Sequence, residues 1–185
     1  ATSVDQLAEL MDAMELAPHN ITVNGVAPTF VYTEMIRHVM ENPDFRKQLE
    51  AQLAEPGIGR DKVMATVISL LDATLIRIGN SQYARDNRSY GLTTLRNKHV
   101  EVRGNAILFQ FRGKSGVEHQ ISVTDRRLAR VIKRCMELPG QNLFQYLDDD
   151  GERHTVSSSD INAYLQRLTG ADFTAKDYRT WAGSA

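Results

Sequence analysis

Three consecutive segments of this sequence alternate apolar and polar residues, and this run constrains the fold more than any other feature. The segments read HVEVRG from residue 99, AILFQFRG from residue 106 and GVEHQISV from residue 116. Turn-forming residues separate them at RGN, 103–105, and at GKSG, 113–116. Alternation of period two with short glycine-containing connections is typical of β-hairpins. The sequence therefore predicts a three-stranded antiparallel sheet in residues 99–123.

Helical periodicity dominates the rest of the chain. Residues 62–78 carry the broadest apolar face, and Gly79-Asn80 closes that helix, which places Arg77 in its last turn. The other predicted elements are helices at 4–16, at 33–54 with an interruption at Asn42-Pro43, and at 128–136, 159–168 and 176–182, and a strand at 21–27.

These elements predict an α+β fold that is mostly helical, with a small three-stranded antiparallel sheet. The N-terminal part would be a helix-strand-helix segment whose packing the sequence leaves open. The clearest break in the chain is Pro56-Gly57 with Gly59. We therefore expect residues 1–54 to form a dependent segment and residues 55–185 to form the main domain.

Charge is distributed unevenly along the chain. Residues 1–55 contain nine acidic and three basic residues, a net charge of −6, which leaves 14 acidic and 19 basic residues, a net of +5, in residues 56–185. This asymmetry indicates either a polyanionic partner for the second part or a solvated basic face.

The remaining composition points to a soluble protein of a reducing compartment. Cys135 is the only cysteine, so no intrachain disulfide forms, and no Cys/His group has the spacing of a zinc site. No apolar run approaches the roughly 18 residues of a membrane helix, and the first residues lack the layout of a signal peptide. We expect a cytoplasmic protein with no membrane partner.

The segment FRGKSGVEH, residues 111–119, resembles a phosphate-binding loop at first sight. A nucleotide-binding loop of that type has a glycine five residues before its Gly-Lys-Ser and joins a strand to a helix. Here that position is Leu108, and another strand follows. The pattern excludes a nucleotide cofactor and leaves two readings of Lys114, a catalytic lysine at a hairpin tip or a solvated turn lysine.

Lys114 is one of several cations on separate predicted elements, together with Arg77, Arg112 and Arg179. Such a set suits phosphoryl transfer, because the charge of the transition state must be neutralised where it develops. No acidic cluster suggests a magnesium site, so we expect neither a metal nor another cofactor.

Five motifs resemble the catalytic domain of bacterial, poxvirus-like type IB DNA topoisomerases. They are LIRIGN (75–80), YGLTTLRNKHVEV (90–102), FRGKSGVEH (111–119), LPGQNLFQYLDDDG (138–151) and FTAKDYRTWAGS (173–184). The resemblance covers residues 55–185 and implies the fold shared with tyrosine recombinases and duplex DNA as the partner. It also implies strand breakage through a 3′-phosphotyrosine and rejoining, with relaxation of supercoils, without ATP or metal, in a protein associated with the bacterial nucleoid.

The resemblance also assigns roles to individual residues. Arg77 and Arg179 would clamp the scissile phosphate, and Lys114 would protonate the 5′-oxygen leaving group. Segments expected along the DNA backbone contain Tyr83, Arg85, Asn87, Arg96, Lys98, His99, Arg112 and His119. For His119 we expect support of the hairpin turn rather than catalysis. Lysine at 176 takes the place of the histidine that tyrosine recombinases carry, which favours a topoisomerase.

The family's attacking tyrosine lies beyond the KDYRTWAG motif, and Tyr178 is not expected to replace it. The sequence therefore predicts DNA binding without cleavage for these 185 residues. A tyrosine recombinase fragment is a less favoured interpretation.

The first 50 residues resemble a different family. VDQLAELMDAMELAPHNITVNGVAPTFVYTE, from residue 4, is similar to the later part of a short-chain dehydrogenase/reductase. The cofactor turn and the Tyr-x-x-x-Lys pair of that family are missing, so reductase activity is not implied. The alternative to the topoisomerase interpretation is thus a chimeric, folded protein without enzymatic activity. The strand at 21–27 could pair between chains and cause self-association.

Overall fold

The computed structural model describes residues 43–170 and 173–182, and element numbers here refer to that part of the chain. Its helices are α1 (Pro43–Ala54), α2 (Arg60–Thr74), α3 (Ser81–Asp86), α4 (Arg126–Glu137), α5 (Ser158–Thr169) and α6 (Ala175–Ala182). Its strands are β1 (Val100–Arg103), β2 (Ala106–Arg112), β3 (Glu118–Thr124), β4 (Gln145–Leu147) and β5 (Arg153–Thr155). Short 3-10 helices cover Leu92–Thr94, Asn97–His99 and Lys114–Gly116.

The predicted three-stranded sheet is confirmed. Its order is β1-β2-β3, both pairs are antiparallel, and the register places Val100 opposite Phe109 and Arg112 opposite Glu118. Alternate residues of β2, namely Ile107, Phe109 and Phe111, are buried. The sheet therefore packs one face on the core, and the β2–β3 turn projects beyond the ends of these two strands.

Helix α2 is the centre of the core. Eight of its residues, from Val63 to Leu71, are buried, and the helix contacts α1, α4, α5, α6 and the sheet. Helix α1 adds Phe45, Leu49 and Leu53 to the same core. The domain boundary expected after residue 54 stays a prediction. Helix α1, which ends at Ala54, packs into the same core as α2. The elements predicted at 4–16 and 21–27 lie outside the described residues.

The prediction that α2 continues to residue 78 is wrong. The helix ends at Thr74, and Leu75 adopts a left-handed conformation with φ 54°. The Thr74 hydroxyl donates to the Leu70 carbonyl and accepts the Ile76 N–H, which satisfies groups that a longer helix would pair. Arg77 therefore lies in an irregular segment after the helix rather than in its last turn.

One helix and one pair of strands were not anticipated from the sequence. Helix α3 lies in the polar connection after residue 80, where the Asn80 side chain caps it by accepting the N–H groups of Gln82 and Tyr83. Strands β4 and β5 form a separate two-stranded antiparallel sheet. No helix in the described ranges is long and apolar enough to span a bilayer.

Candidate nucleic-acid interface

The backbone that carries Arg77 is held by the motif YGLTT. The Leu92 N–H donates to the Arg77 carbonyl at 2.8 Å, and the Thr93 N–H donates to the Ile78 carbonyl at 2.7 Å. The buried Thr93 hydroxyl donates to that same Ile78 carbonyl at 2.8 Å. These bonds fix the backbone at Arg77 and Ile78, so the Arg77 side chain leaves from a defined point.

Gly91 permits this close approach. A β-carbon at Gly91 would lie 2.4 Å from the Arg77 carbonyl oxygen and 2.6 Å from the Gly79 α-carbon. Both neighbours are backbone atoms and cannot move aside as a side chain can. The two segments can therefore touch only because residue 91 is glycine.

Lys114 lies at the tip of the β2–β3 hairpin. The Gly113 N–H donates to the Val117 carbonyl at 2.7 Å and closes the turn, within which Ser115 has a φ of 61°. Lys114 is exposed, and the carbonyl of Arg112 accepts the Tyr90 N–H at 2.8 Å. The hairpin tip is thereby attached to the segment that also holds Arg77.

Arg179 is supplied by α6. Tyr178, next to it, is 2% exposed, and its hydroxyl donates to the Asp72 carboxylate on α2 at 2.6 Å. Thr174 and Asp177 cap the helix through a 3.0 Å bond between the Thr174 N–H and the Asp177 carboxylate. These contacts orient α6 so that Arg179 faces the hairpin tip.

Arg77, Lys114 and Arg179 line one groove of about 460 Å³. Partial burial and the nearby positive charge of Arg77 lower the pKa of Arg179 from its usual value. The guanidinium is so strong a base that it stays charged at neutral pH even with this lowered pKa. The groove thus concentrates three positive charges from three different elements.

Two further grooves adjoin this one. The second, of about 610 Å³, is lined by Arg77, Tyr83, Asn87, Arg112 and Lys114, and the third, of about 470 Å³, by Arg85 and Arg96 among others. Tyr90 lines all three. None of the described residues lining the three grooves is acidic, and we call this surface the acid-free face. Its charge suits a polyanion.

Comparison with known proteins gives the family of the chain. Residues 32–185 match the family model of the eukaryotic DNA topoisomerase I catalytic core. The chain belongs to this topoisomerase I family. The predicted resemblance is confirmed at that level, and the match begins ahead of the expected start at residue 55.

Individual relatives are topoisomerases of viruses and a yeast. The chain is 33% identical over 146 residues to DNA topoisomerase 1B of Acanthamoeba polyphaga mimivirus, covering 77% of this chain and 44% of that protein. It is 30% identical over 104 residues to DNA topoisomerase 1B of Vaccinia virus (strain Copenhagen), covering 54% of this chain and 32% of that protein. For DNA topoisomerase 1 of Candida albicans the identity is 26% over 146 residues, which cover 76% of this chain and 17% of that protein.

The chain therefore spans less than half of the length of each of these relatives. Among solved structures, the XerH site-specific recombinase bound to its difH substrate is similar at a TM-score of 0.46 and 12% identity, covering 87% of this chain and 43% of that one. The family assignment rests on the family model, which matches residues 32–185.

The other predicted residues of this topoisomerase-family chain lie around the acid-free face. Lys98 is exposed on the 3-10 helix Asn97–His99. His99 is buried, and its Nδ1 accepts the Arg96 N–H at 3.1 Å. Burial is the main cause that lowers the pKa of His99, and the positive charges of Lys98 and Arg96 lower it further. The His99 ring is therefore neutral and packs beneath the acid-free face, to which it adds no positive charge.

His119 also supports the structure. Its ring stacks on Phe111 with centroids 5.0 Å apart, and a β-carbon at Gly113 would lie 2.4 Å from its Nε2 atom. The ring therefore fills the space under the turn that presents Lys114, while one side still lines the first groove.

Sequence reasoning missed Tyr90 as a member of the site. Its ring lies 4.4 Å from that of His99, and the Arg96 guanidinium lies 5.7 Å from its centroid. Its position at the start of the YGLTT motif was the available signal. Among the described residues, no group of three or more His, Cys, Asp or Glu side chains is placed to hold a metal ion.

Proposed function

We propose that the acid-free face binds the phosphate backbone of duplex DNA and that the groove of Arg77, Lys114 and Arg179 surrounds the phosphodiester to be broken and rejoined. The observation that carries the proposal is that three cations from three elements line one groove without an acidic neighbour. Membership of the topoisomerase I family supports it, because strand breakage and rejoining is the reaction of that family.

In this proposal the reaction is a transesterification. A tyrosine gives up its phenolic proton to solvent as its oxygen forms a bond to phosphorus, the bond from phosphorus to the 5′-oxygen breaks, and Lys114 donates a proton to the leaving oxygen. Arg77 and Arg179 neutralise the charge on the non-bridging oxygens, for which the planar guanidinium is suited. Rejoining is the reverse reaction, with the proton returned to Lys114.

We further propose that Tyr178 is not the attacking residue. Its hydroxyl is buried and bonded to Asp72, and both effects raise the pKa of Tyr178 well above its usual value. The Tyr178 hydroxyl should therefore form no covalent adduct with DNA. Incubation with end-labelled duplex and denaturing electrophoresis would test this; a labelled protein band abolished by Tyr178→Phe would contradict it.

The binding proposal is tested by fluorescence anisotropy of a labelled duplex over a series of salt concentrations. The logarithm of the affinity should fall with the logarithm of the salt concentration by about 0.9 for each phosphate contacted. Lys114→Ala or Arg77→Ala should reduce that slope by about 0.9 and weaken binding by roughly tenfold or more.

Arg103→Ala is a matched control, because Arg103 is exposed, lies outside the three grooves and pairs with Glu101 at 2.7 Å. It removes the same charge from the same sheet and should leave both the slope and the affinity nearly unchanged. Equal losses of DNA affinity for Arg103→Ala and Lys114→Ala would mean that binding depends only on the net charge of the protein. That result would refute the proposal.

A further inference from the structure

Helices α2 and α6 contact each other, and each contributes to two different surfaces. On the α2 side, Asp72 lines a recess of about 310 Å³, whereas residues 74–77 line the first groove. On α6, Tyr178 lines the same recess and Arg179 lines the first groove. The recess and the groove share no lining residue. Each of the two groove arginines is thus close in sequence to a side chain that lies outside the groove.

A hydrogen bond at this recess joins the two helices. The Tyr178 hydroxyl donates to the Asp72 carboxylate at 2.6 Å. The Tyr178 ring is buried, and its centroid lies 6.3 Å from that of Phe173, so packing restricts where the hydroxyl can go. A hydrogen bond to a charged acceptor is roughly twice as strong as one between neutral groups. We call this bond the α2–α6 tether.

The tether complements an anchor at the start of α6. The N–H of Ala175, the first residue of the helix, donates to the Asn162 side chain of α5 at 3.1 Å. This anchor lies four residues from Arg179, about 6 Å along the helix axis, and by itself it would leave α6 free to swing about its first residue. Tyr178 directly precedes Arg179. The two anchors together fix the direction of α6 and its rotation about its own axis.

The tether also opposes a repulsion within the groove. Partial burial is the main cause that lowers the pKa of Arg179, and the positive charge of Arg77 lowers it further. The two guanidiniums are therefore close enough to repel each other. Before an anion is bound, this repulsion favours separation of α6 from the segment that follows α2. A bond one residue from Arg179 and five residues from Arg77 holds these two elements together.

We propose that Tyr178 and Asp72 are positioning residues, whose hydrogen bond sets the distance between the Arg77 and Arg179 guanidiniums before both contact one phosphate of DNA. Cations that are already in place need no rearrangement when the phosphate arrives, which favours binding. Tyr178 acts here through Arg179 and contacts no reacting atom. The choice of a DNA phosphate as the ligand rests on the proposed function, whereas the tether itself does not.

Removal of the phenolic oxygen from the full 185-residue chain tests the proposal. Tyr178→Phe keeps the buried ring and should weaken binding of a labelled duplex at fixed salt by about fivefold. Tyr164→Phe is the matched control, because Tyr164 is also buried and its hydroxyl has no hydrogen-bond partner among the described residues. This control should bind like the wild type. Equal affinities of the two variants would overturn the inference.

A double-mutant cycle separates positioning from a general loss of stability. In an Arg179→Gln background, Tyr178→Phe should have no further effect on DNA affinity, because the guanidinium that the tether positions is absent. An effect through stability alone would be the same in both backgrounds. Equal fold losses with and without Arg179 would therefore overturn the inference.

Two substitutions of Asp72 test the acceptor of the tether. Asp72→Asn and Asp72→Ala both remove one negative charge, but only asparagine keeps an oxygen that can accept the Tyr178 hydroxyl. Asp72→Asn should therefore bind the duplex about fivefold more tightly than Asp72→Ala. Equal affinities of these two variants would contradict a role for the hydrogen bond.

Amide hydrogen exchange without DNA separates this inference from the proposed function. Tyr178→Phe should speed exchange in residues 175–182, because α6 loses one of its anchors, and Tyr164→Phe should not. Unchanged exchange in Tyr178→Phe would overturn the inference. Wild-type DNA affinity of Arg179→Gln would instead refute the proposed function, and faster exchange in Tyr178→Phe would still support the tether.

Discussion

Two of the hairpins in the described chain, β2–β3 and β4–β5, are both antiparallel and carry opposite charges at their tips. The β2–β3 hairpin has seven-residue strands and presents Arg112 and Lys114 at its tip. The β4–β5 hairpin has three-residue strands, and its connection, residues 148–152, contains Asp148, Asp149, Asp150 and Glu152. Because DNA repels the second tip and attracts the first, the sign of the tip charge indicates which hairpin can approach a phosphate backbone.

The hairpins also differ in how their tips are held. The first turn is closed by backbone bonds, and its strand β2 is anchored in the core by Ile107, Phe109 and Phe111. The second turn also has backbone bonds, from the Asp148 N–H to the Glu152 carbonyl and from the Gly151 N–H to the Asp148 carbonyl, each at 3.0 Å. In addition, the Asp148 carboxylate accepts the N–H groups of Asp150 and Glu152 and contacts the His154 ring at 2.6 Å. The basic tip thus rests on a strand with three buried apolar residues, whereas the acidic tip is reinforced by a half-exposed carboxylate.

The largest expected effect comes from reversing charge at each tip. Lys114→Glu removes a charge-assisted contact, worth roughly 1.5–3 kcal/mol, and adds repulsion, so the DNA affinity should fall by at least about tenfold. Asp150→Lys makes the opposite change on the other hairpin and should alter affinity by much less. Anisotropy measurements at one fixed salt concentration compare the two. A larger change for Asp150→Lys would mean that DNA contacts the β4–β5 hairpin, which would contradict the proposed interface.

Replacing a turn glycine by alanine in each hairpin tests how tightly each turn is packed. At Gly113, φ is −94° and a β-carbon would overlap the His119 ring, so Gly113→Ala should cost about 1–3 kcal/mol of folding free energy through overpacking. At Gly151 there is open space but φ is 79°, so Gly151→Ala should cost about 1 kcal/mol through backbone strain alone. Urea unfolding measures both.

A second substitution identifies the cause at Gly113. If the His119 ring is the obstacle, His119→Ala combined with Gly113→Ala should cost less than the sum of the two single changes. Strict additivity would contradict the role of His119 as the residue that fills the space under the turn.

The smallest expected effect is a pH dependence of the acidic hairpin. The hydrogen bond from His154 is the main cause that lowers the pKa of Asp148 below its usual 3.8. Since the folded pKa is the lower one, this stabilisation is present above about pH 3.8 and is lost as the pH falls through the folded pKa. Thermal unfolding between pH 5 and pH 2.5 should therefore show a smaller pH dependence for Asp148→Asn than for the wild type. An identical dependence would mean that the contact is not formed.

The length of the strands explains which hairpin could be predicted from the sequence. Seven residues of β2 repeat the alternation often enough to be recognised, and the glycines at 113 and 116 mark the turn. Three residues of β4, QYL, give no periodic signal. The helices α4 and α5 were predicted within two residues of their observed ends, because their apolar faces are regular and Ser157 caps α5.

The arrangement around Arg77 could be predicted only in part. The sequence predicted which cations come together, but it placed Arg77 on a helix that in fact ends at Thr74. The bonds that hold Arg77 and Ile78 after the helix come from Leu92 and Thr93, about fifteen residues later in the chain, and local periodicity carries no information about them. Tyr90 was missed for the same reason, since its contact with His99 and its place in all three grooves arise from packing.

The central claim is that DNA lies on the acid-free face, with the basic hairpin tip against it. Amide hydrogen exchange of the full chain with and without an equimolar duplex tests this directly. Exchange should slow in residues 76–90 and 112–117 and stay unchanged in residues 148–154. Slowing in residues 148–154, with residues 112–117 unchanged, would contradict the claim.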